Sequence, residues 1–95
     1  MNIRKIKLYE RQAKKLVKNH QLTTEQIEDT ENLFKNDPFD KDLRPHKITC
    51  KKDKRRRSIT VINTAYRILY TDAGDTAIFQ QILDHDDYDR INKNC

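Results

Sequence analysis

Ala65–Tyr88, AYRILYTDAGDTAIFQQILDHDDY, reads as two short apolar strands, a tight turn between them, and a polar run carrying a histidine at the far end. Ala65–Thr71 holds Ala65, Tyr66, Ile68, Leu69 and Tyr70, a strand-favouring run bounded by turn residues. Asp72-Ala73-Gly74-Asp75 contains the chain's single glycine, where a hairpin needs a positive φ. Thr76–Leu83 is again apolar enough for a buried strand. Arg67 is the anomaly. A guanidinium between Tyr66 and Ile68 must reach a pocket, a partner or a ligand, because burying it alone is expensive. His85 follows directly on the second strand, so the hairpin brings Arg67 and the Asp84–Tyr88 end towards one another.

Outward from this hairpin, the basic block comes first. Between Arg44 and Arg57, eight of fourteen residues are Lys or Arg against one acid, Asp53. His46-Lys47-Ile48-Thr49-Cys50 alternates like a short strand, Lys51–Lys54 is predicted to turn, and Arg57–Ile62 to return as the next strand. Asn63-Thr64 then joins it to the Ala65 strand. A solvated loop would explain such a run, but a basic turn on a sheet edge is also a phosphate-binding surface. Lys47, Lys51, Lys52, Lys54, Arg55, Arg56 and Arg57 are therefore the expected RNA-binding residues.

The N-terminal half is predicted to be mixed. Ile3, Ile6, Leu8 and Tyr9 suggest a first strand, and from Glu10 onward Ala13, Leu16, Val17 and His20 fall at helical spacing. His20, at the helix end, is expected to bind carbonyls or water. Thr23-x-x-Gln26 is a capping-box pattern that opens a second helix, and Asn36-Asp37-Pro38 stops it. Phe39 is expected to anchor the following loop. The order β-α-α-β-β-β-β predicts an α+β fold with a two-helix hairpin packed on one face of a curled antiparallel sheet.

Ninety-five residues make one domain, 1–95, with 35% hydrophobic and 37% charged residues and a net charge of +5. That balance favours a polyanionic partner: RNA, DNA or an acidic protein. MNIRKIKLYE has no apolar stretch of signal-peptide length, and no run could span a bilayer, so the expectation is a cytoplasmic protein with no membrane partner. Cys50 and Cys95 are then expected to be free thiols, and their spacing is no metal pattern.

Three segments together resemble a known family. Ala65-Tyr66-Arg67-Ile68-Leu69-Tyr70 is similar to the Tyr-Arg-hydrophobic-hydrophobic-Tyr strand of the RelE superfamily of toxins from toxin–antitoxin pairs. Leu83-Asp84-His85-Asp86-Asp87-Tyr88 resembles the histidine-bearing end of its YafQ-like and HigB-like members, and Arg44-Pro45-His46-Lys47-Ile48 resembles the family's His-x-Leu segment. The resemblance covers nearly the whole chain. It implies an endoribonuclease acting on mRNA at the ribosome, held inactive by a cognate antitoxin. The chain departs from the pattern in two places. Val61–Ala65 lacks the histidine and aspartate of YafQ-like toxins, and His85 lies about where a RelE-type C-terminal arginine would fall.

Metal-free RNA cleavage needs a base for the 2′-hydroxyl proton, an acid for the leaving 5′-oxygen, and cations for the charged phosphorane. General acid–base groups supply about 10²–10⁴-fold each. His46 and His85 are the candidate proton-transfer groups, and Arg67 can grip the scissile phosphate with two parallel bonds. Asp84 or Asp86 could orient His85, and Tyr88 could stack on a base. No cofactor or metal is expected. The bland alternatives are a surface His46, an Arg67 that pairs with a tail aspartate, a core-packed Tyr88, and acids that form a solvated tail. Two other functions compete: a metal-dependent nuclease, and a non-catalytic basic binder such as a ParE-like topoisomerase-poisoning toxin.

Overall fold

The computed structural model describes residues 1–93 and 95. In chain order the elements are β1 (Asn2–Lys5), α1 (Lys7–Lys18), α2 (Thr24–Asn36), a 3-10 turn (Lys41–Leu43), β2 (His46–Lys47), β3 (Arg56–Thr60), β4 (Arg67–Asp72), β5 (Thr76–Leu83) and α3 (His85–Lys93). The five strands form one sheet in the order β1-β5-β4-β3-β2. The α+β architecture holds, as does the predicted order of the five strands and first two helices, to which the structure adds a C-terminal helix. β1 lies parallel to β5, with Asn2 beside Thr76 and Lys5 beside Phe79, and the other pairs are antiparallel. The sheet is thus mixed, with one parallel edge.

The helical hairpin covers one face. α2 opens on the expected capping box: Thr23 Oγ1 accepts from the Gln26 amide at 3.0 Å, and Gln26 Oε1 accepts from the Thr23 amide at 2.9 Å. Its Thr30 hydroxyl donates to the Gln26 carbonyl and accepts from the Ile62 amide, pinning α2 to the β3–β4 turn. Between helices and sheet, Phe34, Tyr70 and Phe79 meet, with Phe34 edge to face against both other rings and Tyr9 against Phe79. All four rings are buried. The Tyr9 hydroxyl donates to Glu31 at 2.9 Å, and Lys5 reaches the same carboxylate at 2.9 Å, so a nearly buried acid is fully paired.

Several boundaries differ from the sequence reading, each for a physical reason. Leu8 and Tyr9 lie in α1 rather than the first strand, because Tyr9, Ala13, Leu16 and Val17 share the stripe that faces the core. β4 begins at Arg67, since Ala65 and Tyr66 are taken up by a wider turn, closed by the Val61 amide to the Tyr66 carbonyl at 2.9 Å, with Asn63 at φ +61°. β2 is only two residues long. Phe39 does not anchor its loop. It is 61% exposed, and Leu43 fills the core position instead.

Two larger corrections concern the C-terminus. The polar run after Leu83 is a helix, α3, which crosses the sheet face opposite the helical hairpin and buries Leu69, Leu83 and Tyr88 with Ile48 and Ile91 alongside. Because α3 folds back over the sheet, its end reaches the loop after β2. The Cα atoms of Cys50 and Cys95 stand 4.8 Å apart and the two are joined by a disulfide, not free. No described helix is long and apolar enough to cross a membrane.

Candidate active site

The two faces of β4 divide its residues. Ile68 and Tyr70 point into the core beneath α1 and α2, whereas Leu69 is buried beneath α3. Alternation puts Arg67 on the α3 side. A bulge in β5 keeps both faces filled: Tyr70 pairs with Phe79 but Leu69 pairs with Gln81, so Gln80 is the extra residue. Phe79 and Ile82, three apart, can then share the core while Leu83 turns to α3.

Tyr88 is the hub on that face. Its hydroxyl lies 2.9 Å from Ser58 Oγ, in a buried pair. The Arg67 guanidinium carbon sits 5.1 Å from the Tyr88 ring centroid, and the His85 ring stacks against it at 6.5 Å with planes 21° apart. Arg67 is half-buried, and its Nη1 has no hydrogen-bond partner among the described residues. His46 pairs with Ser58 across β2 and β3, so it stands on the same face, exposed at the edge. The guanidinium and the two imidazoles, far apart in sequence, are all on one side of the sheet.

The acid against His85 is Asp89, one helical turn on, with Oδ2 3.4 Å from His85 Nε2. Asp84 does a different job. Its carboxylate accepts from the Asp87 amide at 2.8 Å and caps α3. Asp86 is exposed, and Asp87 accepts from Arg90 at 2.5 Å. Arg67 therefore meets an aromatic face, not the tail aspartate that was its bland alternative.

The basic residues form a rim. Lys47, Lys54, Arg55, Arg56 and Arg57 line a shallow cavity at the β4–β5 turn, while Lys51 and Lys52 stand exposed in the preceding turn. Asp53, the lone acid of the block, is structural: it accepts from the Thr71 hydroxyl and from the Arg55 amide, fixing the turn against β4. Arg57 lies over the Phe39 ring at 5.2 Å. Burial pushes the Tyr70 phenol upward, and the Arg57 guanidinium opposes that shift without reversing it. Arg56 reaches Cys95 Sγ at 3.3 Å. Among the described residues, no three of His, Cys, Asp and Glu converge as a metal site.

Ser58, Asp89 and Phe39 do not stand out in the sequence as site neighbours. Only strand register and the unforeseen helix bring them to the site, although Asp84-x-x-Asp87 followed by Tyr88 and Ile91 does carry a helix-start signal.

No family model matches the sequence, and no curated protein matches it. Solved structures do match in fold. YafQ from Escherichia coli superposes with a TM-score of 0.72 at 13% identity, over 92% of this chain and 96% of that one. A copper-bound mutant toxin from Helicobacter pylori gives 0.69 at 20% identity, over 92% and 97%. The E. coli DinJ–YafQ toxin–antitoxin complex gives 0.71 at 15% identity, over 90% and 93%. The chain thus has the RelE-like fold that its motifs resemble.

Proposed function

We propose that this chain is the toxin of a toxin–antitoxin pair, an endoribonuclease that cleaves mRNA at the ribosome and is neutralised by a cognate antitoxin. The observation that carries the reading is the cluster of Arg67 and His85 on the Tyr88 ring, with His46 on the same face beside a cationic rim. The fold shared with a toxin solved in complex with its antitoxin supports it.

In this mechanism the scissile phosphate docks against Arg67, whose Nη1 has no competing acceptor among the described residues. The neighbouring 2′-hydroxyl attacks phosphorus in line, with one imidazole of the His46–His85 pair taking its proton. The other imidazole protonates the departing 5′-oxygen. The products are a 2′,3′-cyclic phosphate and a 5′-hydroxyl, and no metal takes part. Arg67 stabilises the phosphorane charge, while Tyr88 holds the guanidinium in place. Lys47, Lys51, Lys52, Lys54, Arg55, Arg56 and Arg57 bind the flanking backbone.

The test is cleavage of ribosome-bound message by the purified chain in the presence of a chelator. Cleavage that persists in chelator and falls by about 10²-fold or more in His85→Ala supports the proposal. Cleavage abolished by chelator favours a metal nuclease. Tight binding to a protein target without cleavage favours the ParE-like alternative.

A further inference from the structure

We propose that the Cys50–Cys95 disulfide is a redox latch: it holds α3 over the Arg56–Arg67 face, and its reduction opens that face to RNA. The inference rests on the reading of that face as the RNA site and adds its regulation.

The bond sits where a latch would act. α3 is anchored at its start, because it follows β5 with one residue between, its first turn is capped by Asp84, and Tyr88 is held by Ser58. Its far end has poorer attachments. Asn92 Nδ2 and Oδ1 and Arg56 Nε are buried there with no hydrogen-bond partner among the described residues, and Arg56 Nη1 has only a sulfur acceptor. Buried polar groups left this way favour opening into water, since hydration restores the bonds they lack. Apolar contact at that end comes from Ile91 against the Leu69 cluster, with Ile48 alongside. The covalent tie therefore closes an interface whose polar part is incomplete. With the tie gone, the last turns of α3 can lift away while His85 and Tyr88 stay in place, exposing Arg56 on the face that holds Arg67.

The exchange chemistry is accessible. Cys50 is buried but Cys95 is only partly so, and Lys47, Lys51 and Lys54 ring the shallow cavity at Cys50, a positive field that attracts an incoming thiolate. Attack of one thiolate of a dithiol on the partly exposed Cys95 Sγ forms a mixed disulfide and expels Cys50 as a thiolate, in the field of Lys47, Lys51 and Lys54 that stabilises it. The second thiol of the reductant then closes its own disulfide and releases Cys95, beside the Arg56 guanidinium. The reductant loses two electrons and two protons, and both appear on Cys50 and Cys95 as thiols. Closure is the reverse, with a disulfide as oxidant.

The test compares the oxidised chain, the dithiothreitol-reduced chain and a Cys50→Ser/Cys95→Ser double variant. Affinity for a fluorescein-labelled single-stranded RNA is measured alongside hydrogen exchange of the α3 amides. Reduction is expected to tighten RNA binding about tenfold, as when a closed form leaves only a tenth of the molecules competent. Amides near Ile91–Lys93 should lose protection, and the double variant should match the reduced chain. Measurable but equal affinities in the two states overturn the latch and leave the nuclease reading untouched. If no state binds RNA, the nuclease reading fails, and exchange still decides the latch: unchanged protection overturns it, lost protection upholds the opening of the face. If the double variant does not fold, chemical reduction of the native chain gives the same comparison.

Discussion

Arg67 shows best what a single residue reveals before and after folding. Its place inside an apolar strand marks it in the sequence, because a lone buried guanidinium needs a partner. That partner, the Tyr88 ring, sits on a helix that the sequence presents only as a polar run. Arg67→Lys keeps the charge but loses the planar fork that lies over the Tyr88 ring. Message cleavage by that variant is expected to fall at least about tenfold with the fold intact by circular dichroism, whereas Lys52→Ala, in the exposed turn, should cleave within a few-fold of the parent. Tyr88→Phe leaves the buried Ser58 hydroxyl unpaired. Urea unfolding should register a loss of about 1–3 kcal/mol. Ser58 and Asp89 were illegible for a common reason: neither residue type is unusual, and each acquires meaning only through a partner that register or a helical turn supplies.

At the scale of elements, the capping box of α2, the glycine turn and the two strands around it were readable because each has a local cause. Gly74 takes φ +95°, and its amide is met by Asp72 Oδ1 at 2.9 Å. β5 was harder. Thr76–Leu83 shows no clean alternation, because the bulge at Gln80 shifts the phase between Phe79 and Ile82. α1 begins at Lys7, ahead of the Glu10 start that its period suggests, since Leu8 and Tyr9 look strand-like locally while Tyr9 is claimed by the core and by Glu31. That contact has a pH signature. Burial, reinforced by the Glu31 carboxylate, raises the Tyr9 phenol well above its ordinary value near 10. The folded chain thus holds this proton more tightly than the unfolded chain. The contribution to stability is full below pH ~10 and is lost as pH rises beyond it. Melting temperature should fall above that pH, and Tyr9→Phe should flatten the fall.

For the whole molecule, composition announced a basic surface, and the structure gathers much of it around one shallow cavity at the β4–β5 turn. RNA affinity should fall with salt, the slope decreasing by about 0.7 for each backbone-contacting Lys or Arg removed. Substituting Lys54 and Arg55 with Ala, read by fluorescence anisotropy across a salt series, checks this. The disulfide was not legible because 45 residues of sequence separation carry no hint of a 4.8 Å approach, and because a cytoplasmic expectation argued for thiols. A loop of that length implies that reduction removes about 4 kcal/mol of stability on chain entropy alone, measurable as a lower denaturation midpoint in reductant. The central claim is that the face beneath α3 cleaves RNA through its own side chains. The most direct measurement maps the ends left on ribosome-bound message by the purified chain in chelator, beside Arg67→Ala and His85→Ala. The expected ends are a 2′,3′-cyclic phosphate and a 5′-hydroxyl that disappear in both variants; intact message with the native chain, or undiminished cleavage by either variant, would contradict the claim.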